Sequence, residues 1–191
     1  MMRMSLLLFA LLSGVMINDT FAAPAGSYDP LRAPRLIEFR KKIGYESALA
    51  KEKKNEQVVV NWDNIPVPPE LDGWTLNRGT SVDPEGTHHI RLDFARQAEQ
   101  VYISVDVFDP KNNRAADNLL LKADAVTTMT ITDIRGPEDL GTLSLMSSSK
   151  SVDLVYWVYR NALAEVSTYG TDVPALTIAR WLQKQMEINT R

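Results

Sequence analysis

Two neighbouring segments in which apolar and polar residues alternate restrict the fold of this chain more than any other feature. In residues 87–95 and again in residues 101–108, every second side chain is apolar or a histidine. Successive side chains of a β-strand point to opposite faces of the sheet, so this period predicts two half-buried strands. Because only a short stretch separates them, they are predicted to pair as a hairpin. The predicted inner faces carry His88, Ile90, Leu92 and Phe94 in the first strand and Val101, Ile103, Val105 and Val107 in the second.

A second hairpin is predicted over residues 141–147 and 152–160, with the serine-rich stretch between them as its turn. The later of these strands is apolar at almost every position. Strands that are buried on both faces have such continuous apolar runs, so this strand is predicted to be central and covered on two sides. A tight return at Arg160–Asn161 leads into a further strand over residues 162–169.

Helical spacing of apolar residues marks two more segments. The first is a predicted helix over 113–123, and the threonine-rich stretch that follows it, 126–134, is predicted to be extended. Residues 171–174 then supply a capping residue and a first-turn proline for a final helix that packs on the sheet. Strands in hairpins, with helices between and after them, define the α+β class with a mostly antiparallel sheet. The apolar positions are Ala116, Leu119, Leu120 and Ala123 in the first helix and Ala175, Ile178, Leu182 and Met186 in the last.

The first 22 residues have the pattern of a secretory signal peptide. Arg3 precedes a leucine-rich run, and small residues stand before possible cleavage points after Ala22 and after Ala25. The alternative is an uncleaved membrane anchor, but the mostly apolar run is shorter than the ~20 residues that cross a bilayer. We therefore expect an exported protein, periplasmic or secreted, with no transmembrane segment after cleavage. The chain has no cysteine, which excludes disulfides, thiol chemistry and a lipid anchor on cysteine.

Charge divides the rest of the chain into a linker with a basic arm, residues 23–57, and a single α+β domain, residues 58–191. Residues 32–54 hold eight basic and three acidic side chains, whereas the chain from residue 55 onward has a net charge of −7. We predict a helix over 35–54, weakened in the middle by Gly44. The arm folds back on the acidic body, contacts an anionic protein partner or is a solvated charged helix, and the acidic body argues against nucleic acid. The candidate contact residues are Arg35, Arg40, Lys41, Lys42, Lys51, Lys53 and Lys54.

Short catalytic motifs are missing from the sequence: there is no phosphate-binding loop, no Gly-x-Ser-x-Gly and no His-Glu-x-x-His. The chain has two histidines, His88 and His89. Since neighbours in a strand point to opposite faces, the two rings cannot share one metal ion. We expect no metal site, no cofactor and no enzymatic activity.

Two function hypotheses remain. The first is a non-catalytic exported protein that binds another protein of the cell envelope, or assists its assembly. The alternative is a carrier or sensor of a small apolar ligand held between the sheet and the C-terminal helix. Aromatic residues in strands are also common core residues, so they support the second hypothesis only if they line one groove. The candidate groove residues are Tyr156, Trp157, Tyr159, Tyr169 and Trp181.

Overall fold

A computed structural model describes residues 34–50, 57–58, 62, 65–109, 114–127, 136–148 and 152–188. The predicted signal peptide and most of the linker lie outside these residues. None of the described helices is long and apolar enough to cross a membrane. The helices are α1 (Pro34–Ile43), α2 (Tyr45–Ala50), α3 (Arg114–Thr127) and α4 (Ala175–Ile188), and the strands are β1 (Thr75–Val82), β2 (His88–Arg96), β3 (Glu99–Val107), β4 (Leu143–Ser148), β5 (Val152–Tyr159) and β6 (Ala162–Tyr169).

All six strands form one antiparallel sheet in the order β1-β2-β3-β6-β5-β4. It consists of two three-stranded meanders, β1-β2-β3 and β4-β5-β6, which join where β3 pairs with β6. Helix α3 connects the meanders, and α4 follows the second one and packs on β5 and β6. The predicted α+β class and the mostly antiparallel sheet are therefore confirmed.

The first predicted hairpin is confirmed in its pairing and in its faces. Ile90 pairs with Val105 and Leu92 with Ile103, and all four side chains are buried. His88 continues the same face at the exposed end of the strand. The second hairpin is also confirmed, as β4 and β5, and β6 follows its tight return at Arg160, whose φ is +55°.

Helices cover the sheet on both sides. On one side, α4 packs its predicted stripe, including Ile178 and Leu182, against Trp157 of β5. On the other side, Leu119 of α3 packs against Tyr156 and its neighbours. Strand β5 is thus covered on both sides, as its apolar run predicts. It is not central in the sheet, because it lies next to the edge strand β4, and β3 and β6 occupy the middle.

The basic arm begins with two helices rather than one, and their inner face is buried. Gly44 separates α1 from α2 with a φ of +71°, a conformation that glycine adopts without steric cost. Leu36, Ile43 and Tyr45 are buried, and the last two belong to the same apolar cluster as α3. The Tyr45 hydroxyl donates a hydrogen bond to the carboxylate of Asp117 on α3. A solvated charged helix therefore describes only the outer face of α1.

Helix α3 is longer than its spacing of apolar residues predicts. It continues to Thr127, so the start of the segment predicted to be extended, Val126 and Thr127, is helical. The helical conformation costs threonine and valine little free energy when the preceding helical residues have already nucleated the helix. The rest of that segment lies outside the described residues.

Candidate functional site

On one side of the sheet, α3 covers only half of the strands. The uncovered half carries polar side chains. On this side the outward residues of β2 and β3, and Tyr169 at the end of β6, are exposed or half-buried, whereas the apolar residues of β4, β5 and β6 pack under the helix. The pairing places Asp93 beside Tyr102, and Ser104 between Arg91 and Glu165. We call this uncovered half the open face and define it by Arg91, Asp93, Tyr102, Ser104, Asp106 and Tyr169.

The larger side chains of the open face hold each other in place. The rings of Tyr102 and Tyr169 meet edge to face with centroids 5.5 Å apart. The Arg91 guanidinium carbon lies 5.5 Å from the Tyr102 ring centroid, and its Nε donates to Asp93 Oδ1 over 2.7 Å. The Tyr102 hydroxyl donates to Gln100 Oε1 over 2.7 Å. Side chains that are fixed before binding lose less entropy when a partner arrives.

A network of charged side chains lies at the border between the open face and α3. Lys122 of α3 places its Nζ 3.1 Å from Glu165 Oε2 and 3.7 Å from Asp106 Oδ2. His89 Nδ1 lies 2.9 Å from Asp106 Oδ1, and His89 Nε2 lies 3.4 Å from Asp83 Oδ2. Both ring nitrogens of His89 therefore face carboxylates.

Two groups beside this network, Tyr156 and Asp83, have shifted pKa values. Burial and the neighbouring Glu165 carboxylate raise the pKa of Tyr156, so its hydroxyl stays protonated. The pKa of Asp83 is lowered, first by the hydrogen bond from the backbone N–H of Thr87. The Glu85 amide donates to the same carboxylate oxygen over 2.9 Å.

The predicted groove residues do not line one groove. Trp157 is fully buried on the α4 side of the sheet, where Tyr159 and Trp181 are partly buried against the same core. Tyr156 lies on the opposite side under α3, and Tyr169, 37% exposed, belongs to the open face. On the α4 side, the helix stripe fills the space next to the sheet with fully buried side chains.

The basic residues predicted to bind a partner are divided between internal contacts and the surface. Arg40 stacks over Tyr45 with 4.5 Å between guanidinium carbon and ring centroid, and forms an ion pair with Glu46. Arg35, Lys41 and Lys42 are exposed on α1. The other three predicted residues, Lys51, Lys53 and Lys54, lie outside the described residues.

A cleft of about 540 Å³, which the sequence did not predict, lies at the end of the sheet beside the β1–β2 turn. Trp62, Val82 and Phe108 contribute apolar surface, and His88 and Asn161 contribute polar groups. Asn161 shapes this end of the sheet, because its Nδ2 donates to the Phe108 carbonyl over 2.7 Å and its Oδ1 accepts from the Val58 amide over 3.0 Å. The tight return at Arg160–Asn161 was visible in the sequence, but its long-range bonds were not.

Among the described residues, no group of three or more histidine, aspartate or glutamate side chains is arranged to hold a metal ion. His88 and His89 point to opposite faces of β2, as their adjacency in a strand predicts. Comparisons with protein-family models, with curated proteins and with solved structures found no match to this chain.

Proposed function

We propose that this protein is a non-catalytic, exported binding protein that acts through contacts with another protein of the cell envelope, and that the open face is its main contact surface. The observation that carries the proposal is the uncovered half-sheet with Tyr102, Tyr169 and Arg91 fixed on it. Tyrosine and arginine are among the residues that most often dominate the energy of protein interfaces. Their mutual contacts supply the preorganisation that a tight interface needs.

The exposed basic residues of α1 form a second proposed contact, separate from the open face but on the same side of the sheet. Helix α1 packs against α3, which covers the same side of the sheet as the open face. Lys41 and Lys42 therefore lie on the same side of the sheet as Arg91 and Tyr102. In this proposal the lysines attract an acidic partner, and the tyrosines and Arg91 supply the close contacts.

The position of His89 supports the proposal that the protein is not an enzyme. A histidine base needs one ring nitrogen directed at the reacting group. In this protein Asp106 and Asp83 face the two nitrogens. The geometry suits a fixed structural pair at the rim of the open face better than proton transfer to a ligand.

Substitution of Arg91 or Tyr102 by alanine tests the contact surface. We expect each to weaken capture of the envelope partner about 30-fold, the effect of an interface residue worth ~2 kcal/mol. Arg180→Ala is the matched control, because Arg180 is similarly exposed and ion-paired, through Asp139, but lies on α4 on the opposite side of the sheet. Affinity is measured with the immobilised mature protein and the partner that it retains from an envelope extract. Equal capture by all three variants would contradict the assignment of the open face.

Export is tested separately by N-terminal sequencing of the protein recovered outside the cytoplasm. We expect the mature chain to begin at Ala23 or Gly26, because the small residues before these positions fit signal peptidase cleavage. Recovery of soluble protein that still begins at Met1 or Met2 would rule out the predicted signal peptide.

A second candidate function, a carrier or sensor of a small ligand, is favoured by the cleft at the end of the sheet. Its volume lies within the ~300–1,000 Å³ range of ligand pockets. Its lining mixes Trp62 and Phe108 with His88 and Asn161, so the ligand would be partly polar rather than purely apolar. Native mass spectrometry of the exported protein tests this candidate, since a carrier retains a small molecule that denaturation releases.

A further inference from the structure

The edge strand β1 is exposed along almost its whole length. Seven of its eight residues are exposed, and among the described residues no strand pairs with its outer side. The opposite edge of the sheet is different. There the Gly136 amide donates to the Ser144 carbonyl of β4 over 3.0 Å, and the Ser144 hydroxyl donates to the Pro137 carbonyl over 2.7 Å. A connecting segment thus covers part of β4, whereas β1 offers an open row of backbone groups.

The register of the hairpin shows which backbone groups of β1 point outward. The Asp83 amide donates to the Thr87 carbonyl over 3.0 Å, so Asp83 and Thr87 form a hydrogen-bonded pair at the end of the hairpin. Hydrogen-bonded and non-hydrogen-bonded pairs alternate along antiparallel strands. The odd-numbered residues of β1 therefore bond to β2. The outward N–H and C=O groups belong to Leu76, Arg78, Thr80 and Val82.

The devices that usually protect an edge strand are missing from β1. Edge strands are commonly blocked by charged side chains, proline or a bulge. Strand β1 contains no proline, and its pairing with β2 is continuous. Its one charged residue, Arg78, donates to the backbone carbonyls of Trp62 and Ile65, each over 2.9 Å. Its guanidinium is therefore held against the preceding segment and does not guard the edge.

We propose that β1 is a dimerisation edge at which a second copy of this chain adds antiparallel, with the two-fold axis at Gly79. In this register Arg78 lies opposite the partner's Thr80, and Leu76 lies opposite the partner's Val82. All four outward-facing residues then exchange hydrogen bonds with the other copy, and the two sheets form one sheet of twelve strands. A contact of this kind is isologous, so it closes as a dimer and does not continue into a fibre.

The side chains fit this register better than the registers centred on residues 77, 78 and 81. Val82, which is 58% exposed, is covered by the partner's Leu76, and Asn77 faces the partner's Ser81. Gly79 sits at the axis, where the non-hydrogen-bonded pair brings the two Cα atoms to about 4.5 Å. An axis at Arg78 would instead place the two arginines opposite each other. Moving the axis to residue 77 or 81 leaves two of the four outward residues of each copy without a partner on β1.

The proposed dimer is a property additional to the proposed function, since its interface at β1 leaves the open face free to bind the partner. A two-fold axis perpendicular to the sheet keeps the two open faces on the same side of the twelve-stranded sheet. Two linked copies of a binding surface raise the apparent affinity for a repetitive or dimeric partner without new contacts. Failure of the dimer would not affect the Arg91 and Tyr102 test, which measures capture by each copy.

Single cysteines test the register, because the chain has none of its own. In Gly79→Cys the thiols of two copies meet at the axis, with a Cα separation inside the 4.4–6.8 Å range of disulfides. A Cβ at Gly79 meets no atom within 4 Å, so the monomer accommodates it. Ser81→Cys is the matched control on the same strand and face. Its two thiols are offset by four residues, about 13 Å apart.

We expect Gly79→Cys to form a covalent dimer under mild oxidation at least about tenfold faster than Ser81→Cys, since only the first pair meets disulfide geometry. Equal rates, or no dimer from either variant, would overturn the proposal. Thr80→Pro removes an outward N–H but no bond to β2, so it should turn a concentration-dependent dimer into a monomer by light scattering. Thr80→Val, which keeps the N–H, should dimerise like the parent protein. A dimer that survives Thr80→Pro would place the contact elsewhere.

Discussion

Trp157→Ala is expected to lower the free energy of unfolding by ~3–5 kcal/mol, the range for truncating a large buried aromatic side chain. Trp157 is 0% exposed and packs between β5 and α4, in the part of the core that also contains Ile178 and Leu182. The helix is held by its neighbours and cannot close over the space, so a cavity remains. Urea denaturation measures this loss, provided that the unfolding free energy depends on urea concentration with the same slope in the variant and the parent. A change below about 1 kcal/mol would mean that α4 does not pack on β5 as described.

Trp157→Phe is the control for this prediction. The indole Nε1 of Trp157 has no hydrogen-bond partner among the described residues, so the substitution removes no hydrogen bond. It leaves a smaller cavity than alanine does. We expect it to retain most of the stability that Trp157→Ala loses, which separates packing from polar effects.

Tyr45→Ala is expected to cost about 3 kcal/mol, because Tyr45 is a large side chain buried between the arm and α3. It is 3% exposed, and its hydroxyl donates to Asp117. Tyr45→Phe keeps the ring and loses only the hydrogen bond, so we expect a loss of about 1 kcal/mol. Thermal and urea unfolding of both variants measure the two contributions. If both variants were as stable as the parent, the arm would be a spacer that does not contribute to the core.

Local sequence patterns were sufficient for most of the secondary structure. The alternation in β2 and β3 and the apolar run of β5 depend only on which faces are buried, so each is visible within about eight residues. The apolar stripe of α4 and the predicted start signal in residues 171–174, just before its first residue Ala175, are equally local. The pairing of adjacent strands follows because short connections favour hairpins.

Contacts between distant residues could not be predicted in the same way. Tyr45 and Asp117 are 72 positions apart, and nothing local to either residue indicates their hydrogen bond. The sequence also could not show that α3 covers β5 and β6 and leaves Arg91 and Tyr102 uncovered, because that depends on how the helix packs. The five predicted groove residues are divided between the two sides of the sheet, and this division also depends on how the helices pack. The sequence showed that neighbouring strand residues point to opposite sides of the sheet, but not which helix covers each side.

The junction between β3 and β6 has a consequence for how the protein folds. Every other strand pair joins neighbours along the chain, whereas paired residues of β3 and β6 lie more than 50 positions apart. Closing that long loop costs entropy before any contact is made, so the two meanders are expected to form early and to dock late. The rate-limiting step would then be the meeting of two preformed halves. Contacts across the β3–β6 junction form in this step, so a substitution there, such as Ile103→Val, is expected to slow folding as well as to speed unfolding, which φ-value measurements can read directly.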